Sequence, residues 1–314
     1  MRQAVTAAVV GLILGTGAGA AHGDALYEVV ARTADLLTRG TVELEDTVTV
    51  SVKGDRLRQE VRGARTVVTR RGARYSKPGH RVTLDQLDRG VRYEINLDAG
   101  TYTQESLASV RQEQEEIVAA AEKAFQVSPS GAPPTLAVTV ERTGERGEVQ
   151  GRECERVVLR GATEVVTTPG RGAGPASGTP SRFAMTFDVC LGPESAAARE
   201  IRSIEERAEE ATGQRGALAE RQLRVFAGRR DVLAVFELME RLMEREQQKL
   251  GGTPLRWERT FVGPRRGEPQ ATLYRYRGEV TRIEDRALDA SAFELPASLT
   301  LDARPRSARP QATD

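Results

Sequence analysis

The chain has 314 residues, with 46 basic and 45 acidic side chains, a net charge of +1 and an aromatic content of 4%. Hydrophobic residues at 39% can fill an ordinary core, which excludes disorder throughout, while the balanced charge and few aromatics exclude the basic, stacking-rich surface of a nucleic-acid binder. Among the basic residues only Lys53, Lys77, Lys123 and Lys249 are lysine, a bias that reads as a GC-rich bacterial coding background.

The N-terminus carries the clearest pattern. Met1-Arg2-Gln3 is a short positive start, Ala4 to Leu14 is almost wholly apolar, and Gly15 to Gly23 is rich in Gly and Ala. This is the layout of a secretory signal, with an apolar stretch too brief to span a bilayer. Residues 1–23 are therefore expected to be cleaved, after Ala18-Gly19-Ala20 or Ala21-His22-Gly23, and the product to reach the periplasm. No later stretch approaches eighteen uninterrupted apolar residues, so no transmembrane segment is expected after the signal. No Cys stands at the boundary to take a lipid.

Strands come next. Val48, Val50 and Val52 alternate with Thr47, Thr49 and Ser51; Lys53-Gly54-Asp55 turns the chain into Arg56 to Val61, giving a hairpin. Arg81 to Leu87 follows, then a turn at Asp88-Arg89-Gly90. Val91, Tyr93, Ile95 and Leu97 alternate with polar residues, and Asp98-Ala99-Gly100 leads into Thr101-Tyr102-Thr103, so an antiparallel meander is expected. Basic residues far outnumber acids between Lys53 and Arg92, which reads either as solvated charge or as a basic face for anionic envelope material.

From Ser106 the period lengthens. Leu107, Val110, Gln114, Ile117, Ala121 and Phe125 form one stripe of an amphipathic helix, ended by Ser128-Pro129-Ser130-Gly131. Strands resume at Leu136-Val138-Val140, at Cys154 to Arg160 and at Arg182 to Cys190, where Phe183, Met185, Phe187 and Val189 share a face. Gly161 to Ser181 reads as a mobile loop. Pro193 opens a helical stretch to about Ala211. A second runs toward Leu250 with Asp231 as a fresh cap, so a helical hairpin over 193–250 is expected to turn Ile201, Ile204, Ala208, Phe226, Leu233, Phe236, Met239 and Met243 inward. Strands at Leu255 to Val262 and Ala271 to Ile283, then Phe293-Glu294-Leu295-Pro296, close the ordered part before an Arg/Pro tail over 301–314. Hairpins without strand-helix-strand crossovers predict an antiparallel α+β fold, in one domain over 24–300.

Residues for bond-making chemistry are sparse. After signal removal His80 is the only histidine, and it is expected in a loop after Pro78-Gly79; a metal site would need it to converge with Cys154 and Cys190 without any short ligand spacing. No Gly-x-Ser-x-Gly elbow and no phosphate loop is present, and the carboxylates lie on polar helix faces, so a hydrolase has no nameable residues and no enzyme or cofactor is expected. Cys154 and Cys190, an even pair on strands of an exported chain, are expected to form a disulfide in preference to free buried thiols. Met239, Met243 and Phe236 read as core packing before ligand contact.

Three segments in order, Val52-Lys53-Gly54-Asp55-Arg56-Leu57-Arg58, Tyr93-Glu94-Ile95-Asn96-Leu97-Asp98 and Thr101-Tyr102-Thr103 before a helix, resemble the bacterial periplasmic lipoprotein-carrier-like (LolA/LppX-like) superfamily. Asp188-Val189-Cys190-Leu191-Gly192-Pro193-Glu194 and Phe293-Glu294-Leu295-Pro296 resemble a branch of uncharacterised exported proteins within it. The resemblance implies a strongly curved antiparallel β-sheet, an unclosed half-barrel covered by helices around an apolar cavity for lipids or acylated proteins. The helical insertion at 193–250 and the loop at 161–181 depart from that pattern.

The expected function is accordingly a periplasmic, non-enzymatic binding or carrier module for an apolar or acylated ligand. Its candidate lining is Val48, Val50, Val52, Val91, Tyr93, Ile95, Phe183, Met185 and Phe187. The alternative is an envelope interaction or stress-sensing protein acting through the basic hairpin region or the helical insertion, without a small-molecule ligand.

Overall fold

A computed structural model describes residues 24–35, 41–68, 74–125, 137–166, 180–213, 230–265 and 268–303. The strands are β1 (Ala25–Asp35), β2 (Thr41–Lys53), β3 (Arg56–Val68), β4 (Arg74–Gln86), β5 (Val91–Asn96), β6 (Thr101–Ser106), β7 (Ala137–Val149), β8 (Arg152–Val166), β9 (Pro180–Gly192), β10 (Thr253–Arg265), β11 (Glu268–Asp285) and β12 (Thr300–Leu301). The helices are α1 (Leu107–Phe125), α2 (Ala196–Thr212) and α3 (Arg230–Leu250).

All twelve strands belong to one curved, unclosed sheet, in the order β12-β6-β5-β4-β3-β2-β1-β11-β10-β9-β8-β7. Every pairing is antiparallel except the short β12/β6 contact. The expected meander accounts for β2 to β6. At Gly54, φ is +58°, a left-handed conformation open to glycine at little cost, and it lets β2 reverse into β3 within two residues.

β1 is the strand that joins the two halves, pairing with β2 on one side and β11 on the other. Its sequence hides it: Leu26 and Val30 are apolar on one side while Ala25, Tyr27, Val29 and Ala31 are apolar on the other, so no clean alternation marks it. β4 also begins earlier than expected, at Arg74. His80 is therefore a strand residue opposite Arg62 and not a loop residue, because Pro78 and Gly79 are carried within the ladder against β3.

Helix α2 is capped by Ser195, whose Oγ accepts from the Ala198 N–H at 3.1 Å, so the helix begins at Ala196, three residues later than the start expected at Pro193. α2 packs over β1, β2, β3 and β11, α3 packs over β7, β8 and β9, and α1 lies against both helices. The expected hairpin connection between α2 and α3, with Phe226, lies outside the described residues, as do the side chain of Leu233, most of the loop expected over 161–181, and residues 304–314. Gly161 belongs to β8 and Ser181 to β9, so the ends of that loop are strand. β7 is an edge strand, flanked by β8 alone among the described strands, and its Val140 is exposed.

Cys154 on β8 and Cys190 on β9 form the expected disulfide, with Cα atoms 5.3 Å apart across adjacent strands. The C-terminal segment crosses the face opposite the helices. Phe293 is fully buried there, Gln86 Nε2 donates to its carbonyl at 2.8 Å, and Arg56 and Arg89 both pair with Glu294.

Candidate functional site

Directly opposed residues in a sheet share a face, so the registers divide the candidate lining in two. Val48 lies between Val29 and Val61, Val52 between Ala25 and Leu57, and Phe187 between Leu159 and Arg259. Val48, Val50, Val52, Phe183, Met185 and Phe187 are all buried in the core beneath the helices. Val91, Tyr93 and Ile95 are not there. Val50 opposes Gln59, Gln59 opposes Thr83, and Thr83 opposes Glu94, which leaves Tyr93 and Ile95 on the other face. Ile95 is buried there, Val91 and Tyr93 are half-buried, and Tyr93 meets the Tyr102 ring at 6.2 Å. Alternation within a strand cannot say which of two apolar-bearing faces a neighbouring strand shares; only the register does.

The helix-covered face is apolar and aromatic where α3 lies on it. Phe183 stacks on Phe261 at 5.7 Å between ring centroids. Phe236 of α3 enters edge-on between Phe261 at 5.2 Å and Tyr274 at 5.4 Å. Val232, Val235, Phe236, Met239 and Met243, recurring at helical spacing, have 0% exposure each. At about 1.5–3 kcal/mol per fully buried side chain, this one stripe holds α3 to the sheet. The two thioethers matter for how it holds: unbranched Met side chains repack around different shapes more readily than Leu or Ile.

Beside this apolar bed lies a charged cluster. Arg259 of β10 is more than nine-tenths buried, with its guanidinium carbon 4.7 Å from the centre of the Phe187 ring. It pairs with Glu240 and lies 3.8 Å from Glu244, both on α3. Burial works against the Arg259 charge, but the two glutamates outweigh it and hold its pKa above the ordinary value. Glu205 of α2 faces the same region. Burial foremost, and then the Glu244 charge, push its carboxyl up to about 7, against the pull of Arg202. Tyr27 of β1, whose hydroxyl donates to the Pro254 carbonyl at 3.2 Å, is raised well above its usual value by burial and by Glu205 and Tyr276. This cluster had no signal in the sequence, because Glu205, Glu240 and Glu244 have the same polar-face spacing as solvated helix acids.

Much of the described part of the basic hairpin region is paired with acids. Arg58, Arg62 and His80 converge on Glu60, Arg92 makes a buried two-point bridge to Asp85 at 2.6 and 2.8 Å, and Lys53 pairs with Asp24. The side chains of Arg70, Arg71 and Arg74 lie outside the described residues. Both cysteines are committed to their disulfide, so neither offers a thiolate to a metal. Among the described residues no helix is long and apolar enough to cross a membrane. No model of a known protein family matches this chain, and no curated protein matches it.

Proposed function

We propose that this chain is an exported, periplasmic, non-enzymatic binding or carrier protein for an apolar or acylated ligand, lipid or lipoprotein-like, taken up between the sheet and α3. The observation that carries this reading is the construction of the α3 contact. A sheet face bearing Phe183, Met185, Phe187, Phe261 and Tyr274 is met by α3, whose sealing residues include Phe236, Met239 and Met243. An acyl chain can replace that helix stripe with equivalent apolar contact, so uptake exchanges one burial for another instead of exposing the sheet. The engagement of Arg56, Arg58, Arg62 and Arg92 with acids favours this reading over a basic face for an anionic surface.

Native mass spectrometry of protein purified from an envelope fraction tests it, together with titration of the stripped protein by a fluorescent fatty acid. Bound acyl mass or saturable uptake that long-chain fatty acid displaces is expected. A ligand-free protein that takes up no probe would refute the proposal.

A further inference from the structure

One guanidinium on α2 is only half used. Arg207 gives its Nη1 to the Asp55 carboxylate at the β2–β3 turn, and about a third of its side chain stays in solvent. Its Nε and Nη2 are buried and have no hydrogen-bond partner. Those two nitrogens present parallel N–H groups along one edge, the geometry that grips a carboxylate or phosphate at two points. The same edge is filled elsewhere in this chain. Arg92 holds Asp85 with Nε and Nη2, and Arg156 holds Asp188 with Nε at 3.0 Å and Nη2 at 2.6 Å while its Nη1 takes Glu145 at 2.8 Å. Arg156 thus carries two carboxylates where Arg207 carries one.

The neighbours of Arg207 leave that edge unmatched. About one turn away along α2 stand Ser203, Ile204 and Ala211, while Glu206 and Glu210 are exposed. α1 runs beside α2 in the same direction, since Arg111 donates to the Glu210 carbonyl at 3.1 Å and Gln114 lies against Gly213. The first turn of α1 therefore comes beside Arg207, and it contains no acid. Two more polar groups without a partner border this helix pair: Thr103 Oγ1, on the helix side of β6 just before α1, and Gln114 Oε1, both on residues more than nine-tenths buried. Buried donors are costly when unpaired, so a ligand that brings two acceptors to Arg207 is favoured.

We propose that the Nε–Nη2 edge of Arg207 is the anchor of an oxyanion site, which takes the carboxylate or phosphate group of a ligand between α2, the β2–β3 turn and the first turn of α1. Binding completes around Arg207 the arrangement that Arg156 already shows, with the ligand in the role of Asp188. Asp55 is half exposed, so water screens its repulsion of the incoming anion. The flexible stem of Arg207, partly in solvent, lets the edge turn to meet it. The site shares no residue with the apolar bed under α3, and it stands or falls apart from that reading.

The Nε–H resonance of Arg207 in the intact protein, assigned through its own backbone signals, reports on the edge itself. Inorganic phosphate, acetate, laurate and lysophosphatidate are titrated separately at constant ionic strength, the two lipids below micelle formation. At least one should shift the resonance saturably. Arg207→Lys keeps the charge without the paired edge and, with binding followed through neighbouring amide signals, should lose about tenfold or more in affinity. Asp55→Asn leaves Nη1 an acceptor but removes the like charge, so the same anion should bind more tightly. Saturation by phosphate or acetate identifies a free anion, and saturation by laurate or lysophosphatidate alone identifies the head group of an apolar ligand; either supports the site. No saturable shift with any of them, equal affinity in Arg207→Lys, or unchanged affinity in Asp55→Asn would overturn it. Should Arg207→Lys fail to fold, the native titration and Asp55→Asn decide.

Discussion

Trp257 on β10 lies directly over Gly278, its partner on β11: a Cβ placed at residue 278 would come within 2.3 Å of the indole Cζ2. The glycine is therefore a seat for the ring in the middle of the sheet, beside Tyr276, whose ring centre is 6.3 Å from that of the indole. Gly278→Ala should force the rigid indole outward at a cost of about 1–3 kcal/mol. Because the chain has one tryptophan, its emission should shift together with the urea midpoint; an unchanged spectrum and midpoint would count against this packing.

The Cys154–Cys190 bridge closes 36 residues, for which loop entropy predicts about 3–4 kcal/mol of stabilisation. Denaturant unfolding with and without reductant should differ by that amount. Thiol titration of the unfolded, unreduced protein should find no free sulfhydryl, and two titratable groups would refute the bridge.

Glu60 should make the protein acid-sensitive. Burial alone would raise its carboxyl, but hydrogen bonds from Arg58, His80 and Arg62 hold it down to about 2, below its ordinary 4.5. A depressed folded value contributes stability above about pH 4.5 that is lost as pH falls toward 2. Glu60→Gln should thus lower stability at pH 7 by about 2–3 kcal/mol and flatten the acid limb between pH 4.5 and 2. Equal acid limbs for the two proteins would contradict the pairing.

Phe293 is a plug on the face opposite the helices, fully buried although it lies beyond β11. Phe293→Ala should cost about 3–5 kcal/mol and expose the C-terminal segment to limited proteolysis near Glu294 before the sheet is cut. Simultaneous loss of sheet and segment would show that the plug is not separable from the core.

Local alternation and turn chemistry made β2 to β6 legible, and helical spacing gave α1, α2 and the Met239/Met243 stripe. What stayed hidden was relational. β1 has apolar residues on both sides, so its central place between β2 and β11 leaves no pattern of its own. Whether Tyr93 shares a face with Val50 depends on the register of three intervening strand pairs, a tertiary property. Phe183, Met185 and Phe187 were identifiable as an apolar row, but which helix seals them was not. Glu205 differs from its surface neighbours Glu206 and Glu210 only through what the sheet and α3 bring against it.

The central claim is that an acyl chain can take the place of α3 on Phe183, Met185 and Phe187. Photo-crosslinking with a diazirine-bearing fatty acid, mapped by peptide mass spectrometry, tests it most directly. Label is expected on β9 and α3 peptides, displaceable by unlabelled fatty acid and weakened by Met185→Trp, which overfills the bed. Label confined to the β4–β6 face, or absent from the folded protein, would contradict the account.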